Sequence, residues 1–147
     1  MNIYDDGCGI EQLRAMMAAG ERPGIGRSLH FALAQVEEGR VVFESTPGDF
    51  ANNPIGTIHG GYAAALLDSA CGCAVHTRLA PGQAYTTLEL KVAYHRPMTG
   101  DTGPVRAIGE VVSMGRRAAF SEARLLDGND RLIASATSTL LVFERSR

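Results

Sequence analysis

The sequence lacks the features that mark a membrane protein or a nucleic-acid-binding protein. None of its apolar runs reaches the roughly 20 residues that a membrane-spanning helix requires. The formal net charge is −2, and the basic residues are spread along the chain instead of forming the basic stripe that follows a nucleic-acid backbone. We therefore expect neither a membrane nor a nucleic acid as a partner.

Cysteine is also scarce. The chain has three cysteines, an odd number, and two of them, Cys71 and Cys73, lie in one helical pattern, so they do not form a disulfide framework. This agrees with a reducing compartment. The N-terminal segment MNIYDDGCGIEQLRAMMAAG is acidic and lacks the basic start and apolar core of a signal peptide. We expect a cytoplasmic protein.

The length of 147 residues fits one domain that can bury its own core, so we assign residues 1–147 to a single domain. Internal repeats, linkers and low-complexity tracts are absent. Apolar residues at helical spacing predict a short amphipathic helix from Ile10 to Ala19 that ends at Gly20. We interpret residues 1–25 as a peripheral helix and loop, which would act as a lid.

The rest of the chain predicts mostly strands. Alternating or continuous apolar residues separated by turn residues mark a first hairpin at 29–33 and 40–44, and later strands at 87–94, 105–114, 118–126 and 132–143. Short turns between successive strands require antiparallel pairing. A single long helix is predicted from Gly60 to about Leu79, and it must bury itself against the sheet. The fold class is α+β, with a curved sheet wrapped round one central helix.

The central helix carries a charge in an unusual place. From Tyr62 to Val75 it reads YAAALLDSACGCAV, apolar or small on every side, and Asp68 is its only charge. A carboxylate loses hydration in such a helix and is seldom kept there without a partner or a function. Asp68 is therefore a candidate nucleophile or general base. The alternative is that it faces a polar seam and only accepts hydrogen bonds there.

The start of the same helix supports a catalytic interpretation. Gly60 and Gly61 lie in the first turn, where backbone N–H groups lack intrahelical partners and the helix dipole favours negative charge. These amides could form an oxyanion hole, although two glycines could equally allow close packing against a strand. Gly60 and Asp68 are roughly 12 Å apart along one helix. If both are catalytic, they must act on one carbonyl from different subunits, so at least a dimer is required.

These residues resemble a known family. Asn53, the sequence His59-Gly60-Gly61 and Asp68 at this spacing are similar to the hotdog-fold acyl-CoA thioesterases of the phenylacetate-pathway (PaaI-like) type. The similarity extends from about residue 29 to residue 143 and includes the strand end YHRP at 94–97 and the turn MGRRAAF at 114–120. The resemblance implies a hotdog fold.

The resemblance also implies roles for individual residues. The Gly60 amide would polarise the thioester carbonyl, and Asp68 of the partner subunit would attack it or activate water. Asn53 would hold the carbonyl or the water, His59 would order the loop, and Thr87 would position water or Asp68. Each has a simpler alternative: Asn53 as a turn former, His59 as a helix cap and Thr87 as an ordinary strand residue.

The candidate substrate-binding residues are Gly61, Arg96, Arg116 and Arg117. The three arginines could meet the phosphates of coenzyme A through forked hydrogen bonds, or they could be solvated surface residues. We expect no cofactor, because coenzyme A is part of the substrate. We also expect no metal, because Cys71, Cys73 and His76 point in different directions from one helix.

The predicted function is the hydrolysis of acyl-CoA thioesters to a free acid and coenzyme A by a homodimer or a dimer of dimers. The chain contains no GxSxG motif of a serine hydrolase. The main alternative is a non-catalytic hotdog module that binds or senses acyl-CoA. A dehydratase or hydratase on the same fold would pair its acid with histidine in another pattern. Aryl, medium-chain and long-chain acyl groups all remain open.

Overall fold

Six strands and three helices form in the computed structural model, which describes residues 7–146. The helices are α1 (Gly9–Ala18), α2 (Gly24–Ser28) and α3 (Gly60–His76). The strands are β1 (Phe31–Glu37), β2 (Arg40–Ser45), β3 (Gln83–Tyr94), β4 (Val105–Met114), β5 (Ala118–Leu126) and β6 (Leu132–Glu144). The first six residues of the predicted N-terminal segment lie outside the described residues. The patterns did not predict α2 or a short 3₁₀ turn at Asp49–Ala51.

The strands form one antiparallel sheet in the order β1-β2-β4-β5-β6-β3. The predicted turn between β1 and β2 contains Gly39, whose φ of 75° is accessible to glycine without strain. The Gly115 turn closes with a 2.8 Å hydrogen bond from its N–H to the carbonyl of Ala118. The predicted α+β architecture, a curved sheet round one helix, is confirmed. The sheet ends at two edge strands, β1 and β3.

Helix α3 lies against the sheet with most of its apolar side chains buried. Leu66, Leu67 and Ala70 are all 0% exposed. The helix approaches β4 so closely at Gly109 that a Cβ there would lie 2.1 Å from the backbone oxygen of Ala70. Because only glycine allows this contact, helix and sheet meet backbone to backbone at this point. In the described part of the chain, no helix has the length and apolar character needed to cross a membrane.

The sequence predicted that α3 would continue to about Leu79, but it ends three residues earlier at His76. The Thr77 hydroxyl explains the difference. It donates to the Ala74 carbonyl at 2.7 Å and accepts from the Gly39 N–H, also at 2.7 Å. This side chain therefore ties the end of the helix to the β1–β2 turn.

Helix α1 corrects the prediction of a peripheral N-terminal helix. Leu13 is 0% exposed and Met16 is 5% exposed, and both belong to the main core. Near its start, a Cβ on Gly9 would lie 1.7 Å from the His76 carbonyl oxygen, so α1 touches the end of α3 directly. The apolar spacing identified the helix, but it could not show what the apolar face would pack against.

Edge strand β3 departs from the alternation that its sequence predicts. A β-bulge between Thr87 and Glu89 shifts the register, and Leu88 is 60% exposed instead of facing the core. Tyr94, at the end of the strand, is 54% exposed. Leu90 and Val92 pack against the core as expected. The bulge therefore turns one apolar side chain outward on an open sheet edge.

Candidate active site

Asp68 is half-buried on α3 and is held by Thr87 from β3. The Thr87 hydroxyl donates a 2.9 Å hydrogen bond to Oδ1 of the carboxylate. Among residues 7–146, no cationic side chain lies within ion-pair distance of Asp68. The carboxylate therefore has oxygen lone pairs available to a water or a substrate. The register shift beside Thr87 belongs to the same bulge that exposes Leu88.

Asp68 and Thr87 line a cavity of about 290 Å³. One wall is formed by α3 and β3 and carries polar side chains: Asp68, Ser69, Cys73, His76, Tyr85 and Thr87. The facing wall is formed by α1, α2, β1 and β2 and is mainly apolar: Met16, Pro23, Ile25, Phe31, Leu33 and Phe43. Glu21 and Arg22 also border it. A concave apolar space with a few polar groups is typical of a small-molecule site.

Two further polar groups on the helix wall are held uncharged by burial. Burial raises the pKa of the Cys73 thiol to about 12 and lowers the pKa of His76 to about 4. Neither group carries charge near neutral pH. A carboxylate at Asp68 is then the charged group that the helix itself presents to the cavity. Sequence analysis did not assign Ser69, Cys73 or His76 to the site and expected Cys73 and His76 to point in different directions. That expectation was wrong for this pair, because the spacing i, i+4, i+7 places all three on the helix face that borders the cavity.

Gly60 occupies the first position of α3, and its neighbours hold this turn in place. His59 is the N-cap residue, and its Nδ1 accepts a 2.7 Å hydrogen bond from the Gly61 N–H. Tyr94 Oη donates to the Gly60 carbonyl at 2.6 Å. In the described chain, the Gly60 N–H makes no hydrogen bond to the protein. Of the two glycine N–H groups considered from the sequence, that of Gly60 is available to donate to a substrate. The Gly61 N–H already donates to His59.

Asn53 organises its own loop. Its Oδ1 accepts from the N–H groups of Ile55 and Thr57 at 3.1 and 3.2 Å, and its Nδ2 donates to the Thr57 hydroxyl at 2.8 Å. These contacts match the turn-forming alternative, and one N–H of the side-chain amide is left over for a substrate. His59 likewise makes the contact of a helix cap.

The structure does not bring Asp68 and Gly60 together within one chain. They are eight positions apart on α3, which corresponds to roughly 12 Å along the axis. Gly60 borders a different cleft of about 290 Å³, formed with His59, Tyr94, Arg96 and Met98. The two halves of the predicted site thus face separate spaces on one subunit.

The three candidate arginines are all exposed, and they lie in two places. Arg96 borders the cleft that contains Gly60. Arg116 and Arg117 lie in the β4–β5 turn and border a third cavity with Gln83 and Glu144. None of the three forms an ion pair within the described residues. No group of three or more potential metal-ligating His, Cys, Asp or Glu side chains occurs in that range either.

The curved antiparallel sheet round a central helix is the hotdog fold, and comparisons with known proteins define the family. A model of the "Thioesterase superfamily" matches residues 55–134, which is more than half of the chain and includes Gly60, Asp68 and Thr87. The chain therefore belongs to the thioesterase superfamily, and the protein is a thioesterase.

Individual relatives agree with this assignment. A thioesterase family protein from Silicibacter pomeroyi superimposes with a TM-score of 0.82 at 25% identity, covering 93% of this chain and 99% of that one. The Escherichia coli PaaI protein from the phenylacetic acid degradation operon has the same fold, with a TM-score of 0.80, 18% identity and 94% and 96% coverage. The 1,4-dihydroxy-2-naphthoyl-CoA hydrolase of Listeria monocytogenes is 20% identical over 124 residues, 84% of this chain and 99% of that protein.

Proposed function

We propose that this thioesterase hydrolyses acyl-CoA thioesters in the manner of the PaaI-like enzymes, with Asp68 as nucleophile or general base. The observation that carries the proposal is the Asp68 carboxylate, which borders a cavity, accepts a hydrogen bond from Thr87 and forms no ion pair with any residue from 7 to 146. Membership of the thioesterase superfamily supports hydrolysis of the thioester bond. The name of the Listeria relative supports coenzyme A as the thiol.

The chemistry can follow either of two routes. As a general base, Asp68 takes a proton from water while the water oxygen adds to the thioester carbon, and the C–S bond then breaks to release the acid and the thiol. As a nucleophile, the carboxylate adds to the carbon and expels the thiolate, and water hydrolyses the resulting anhydride. In both routes negative charge develops on the carbonyl oxygen. The Gly60 N–H is suited to stabilise it because it has no acceptor within the described chain.

A dimer completes this site because Asp68 and Gly60 face different spaces on one subunit. Edge strand β3 supports such an assembly, since its 12 residues leave one row of backbone groups without a neighbouring strand. Pairing two β3 strands about a twofold axis would extend the sheet and place the α3 helices of both subunits side by side. Asp68 of one subunit would then approach Gly60 of its partner.

The proposed substrate divides between the two spaces. The acyl group would enter the cavity at Asp68, whose volume of about 290 Å³ lies at the lower end for small-molecule sites and favours a compact acyl group. The coenzyme A arm would leave along the cleft at Gly60, where Arg96 is available to a phosphate. Arg116 and Arg117 could bind further phosphates if the arm crosses to the partner subunit.

The first test removes the charge of Asp68. Asp68→Asn keeps the size of the side chain and an oxygen that can accept from Thr87, so folding should be preserved. We expect kcat for release of free thiol from acyl-CoA to fall at least about a hundredfold. A variant with most of the wild-type kcat would contradict the assignment of Asp68. Single-turnover hydrolysis in ¹⁸O-water tests the nucleophilic route, because the label enters the Asp68 carboxylate only when water attacks the Asp68 carbonyl of an acyl-enzyme anhydride.

The second test removes the Gly60 N–H without breaking the helix. Gly60→Pro deletes the donor at the first helical position, where proline is well tolerated. His59 has φ −62° and ψ 135°, a conformation that also suits the residue before a proline. Gly60→Ala is the matched control, because it adds a Cβ and retains the N–H. We expect kcat of the proline variant to fall about a hundredfold below that of the alanine variant. Equal activities would exclude this amide as the oxyanion donor.

The third test asks whether the site is shared between subunits. Asp68→Asn and Gly60→Pro homodimers should both be nearly inactive. Refolding the two variants together makes about half of the dimers mixed, and each mixed dimer has one complete site of two, so activity should return to about a quarter of wild type. The absence of recovery in a sample with proven mixed dimers would place both residues in one subunit's site.

A further inference from the structure

We propose that Tyr94 is a positioning residue of this active site. Together with His59, it holds the peptide that follows Gly60. This restrains the backbone of Gly60 and thereby the direction of its N–H, which lies on the preceding peptide and is left open to the substrate. The inference rests on the proposed role of this N–H as the oxyanion donor. It adds a residue whose contribution was not anticipated from the sequence.

Both ends of one peptide group are bound by side chains. Tyr94 Oη donates to the Gly60 carbonyl oxygen at 2.6 Å, and the N–H of the same peptide, on Gly61, donates to His59 Nδ1 at 2.7 Å. A peptide group is planar, so these two contacts together define the orientation of the plane between Gly60 and Gly61. The Gly60 N–H belongs to the preceding peptide, whose carbonyl oxygen, that of His59, accepts from the Tyr62 N–H at 3.0 Å. Because the peptides on both sides of Gly60 are held, its backbone dihedral angles are restrained, and so is the direction of its N–H. An accepting Nδ1 also requires a neutral imidazole with its proton on Nε2.

This orientation requires support because two glycines follow one another at the start of α3. Glycine has the greatest backbone freedom of any residue, and the first turn of a helix has unpaired N–H groups. A glycine pair in this position would fray if the helix backbone alone held it. A preorganised donor stabilises a developing oxyanion better than a mobile one.

The backbone of Tyr94 is held by hydrogen bonding between β3 and β6. It pairs with Ala134 on β6, and the next two N–H groups, of His95 and Arg96, both donate to the Ile133 carbonyl at 2.8 and 3.1 Å. The ring is 54% exposed, so it contributes less to the core than a buried aromatic residue would. It also lies close over Gly60: a Cβ there would be 3.0 Å from Oη and 3.2 Å from Cζ. We therefore assign the positioning of the Gly60 carbonyl to the Tyr94 hydroxyl and not to the ring.

The test compares two tyrosines near the start of α3 whose hydroxyls have different partners, the Gly60 carbonyl for Tyr94 and Ser45 on β2 for Tyr62. Tyr94→Phe removes the contact to Gly60 and retains the ring. Tyr62→Phe is the matched control, because the Tyr62 hydroxyl donates to Ser45 Oγ at 2.5 Å and does not contact Gly60. We expect Tyr94→Phe to lower kcat about tenfold with KM changed less than twofold, since the oxyanion exists only in the transition state. Tyr62→Phe should lower the melting temperature and preserve kcat. A wild-type kcat for Tyr94→Phe would overturn the inference.

A double variant distinguishes positioning from a general structural effect. In the Gly60→Pro background there is no N–H to orient, so adding Tyr94→Phe should lower kcat no further. A second tenfold loss in that background would refute action through the Gly60 amide.

As an independent readout, the amide resonance of Gly60 should shift in Tyr94→Phe and stay in place in Tyr62→Phe. If Gly60→Pro alone retains full activity, the proposed oxyanion donor is wrong. If Gly60→Pro is inactive and Tyr94→Phe is normal, only the role of Tyr94 is wrong.

Discussion

The acid sensitivity of this protein should be dominated by one buried histidine at the end of α3. His76 is 2% exposed, and burial lowers its pKa to about 4. Its Nε2 lies 2.8 Å from Gln12 Oε1, and the Gln12 amide nitrogen donates to the Gly7 carbonyl at 3.1 Å. The second contact orients the Gln12 oxygen toward His76, which therefore donates through Nε2–H.

The size of the effect follows from the two protonation states. In the unfolded chain His76 has an ordinary pKa of about 6.5, so between pH 6.5 and pH 4 the unfolded state binds a proton that the folded state does not. The free energy of unfolding therefore decreases as the pH falls through this window. The stabilising contribution is fully present above about pH 6.5 and is lost by about pH 4, a total of roughly 3 kcal/mol.

Urea unfolding at fixed protein concentration measures this effect directly. His76→Gln removes the titrating group and leaves a polar side chain beside Gln12. Between pH 7 and pH 4.5, the wild type should lose about 2–3 kcal/mol more stability than the variant. Glu11 and Asp127, whose carboxyl pKa values are lowered mainly by backbone hydrogen bonds, are present in both proteins and cancel in the comparison. Equal losses in wild type and variant would refute the assignment of the acid sensitivity to His76.

Three further predictions concern the core, the sheet edge and the substrate. Gly109→Ala should lower the free energy of unfolding by about 3 kcal/mol, because its Cβ would overlap the backbone of α3. Gly100→Ala should have little effect, since nothing lies within 4 Å of the added Cβ, and equal melting temperatures for the two would contradict the close contact. Leu88→Glu on edge strand β3 should weaken the dimer in light scattering, and an unchanged mass would argue against pairing through β3. Replacing both Arg116 and Arg117 by Ala should raise KM more for an acyl-CoA than for a truncated pantetheine ester, whereas equal changes would make them surface residues.

Much of the fold follows from local patterns in the sequence. The strands, the long helix and the turns at Gly39 and Gly115 are marked by periodicity and turn residues, and these act over short distances. Asp68 could be identified because a single charge in an apolar helix is costly to bury without a reason. Thr87 was assigned through the family resemblance, and its hydroxyl lies 2.9 Å from Asp68 Oδ1, while its role stays a prediction.

The features that were missed depend on contacts between distant segments. The apolar wall of the cavity combines Phe31 and Phe43 with residues of α1 and α2, which only the folded sheet brings together. The bulge that exposes Leu88 is a property of strand pairing and leaves no local signal in the alternation of residues. The contact of Tyr94 with Gly60 spans 34 positions. A spacing rule cannot find such a contact, because it arises only when the end of β3 meets the start of α3.

The backbone contact between α3 and β4 at Gly109 has a consequence for how this enzyme can diversify. Because the backbone of α3 contacts the backbone of β4 directly, substitutions of neighbouring side chains do not change the distance between helix and sheet. The position of the Asp68 carboxylate relative to the sheet is therefore fixed by this contact. The opposite side of the cavity is built by other segments, and Ile25, which is 54% exposed, can be exchanged without disturbing that backbone contact. Under the proposed mechanism, evolution or laboratory selection can therefore reshape the space for the acyl group step by step while the position of Asp68 is kept. In that mechanism the fold separates the residues that select the substrate from those that carry out the reaction.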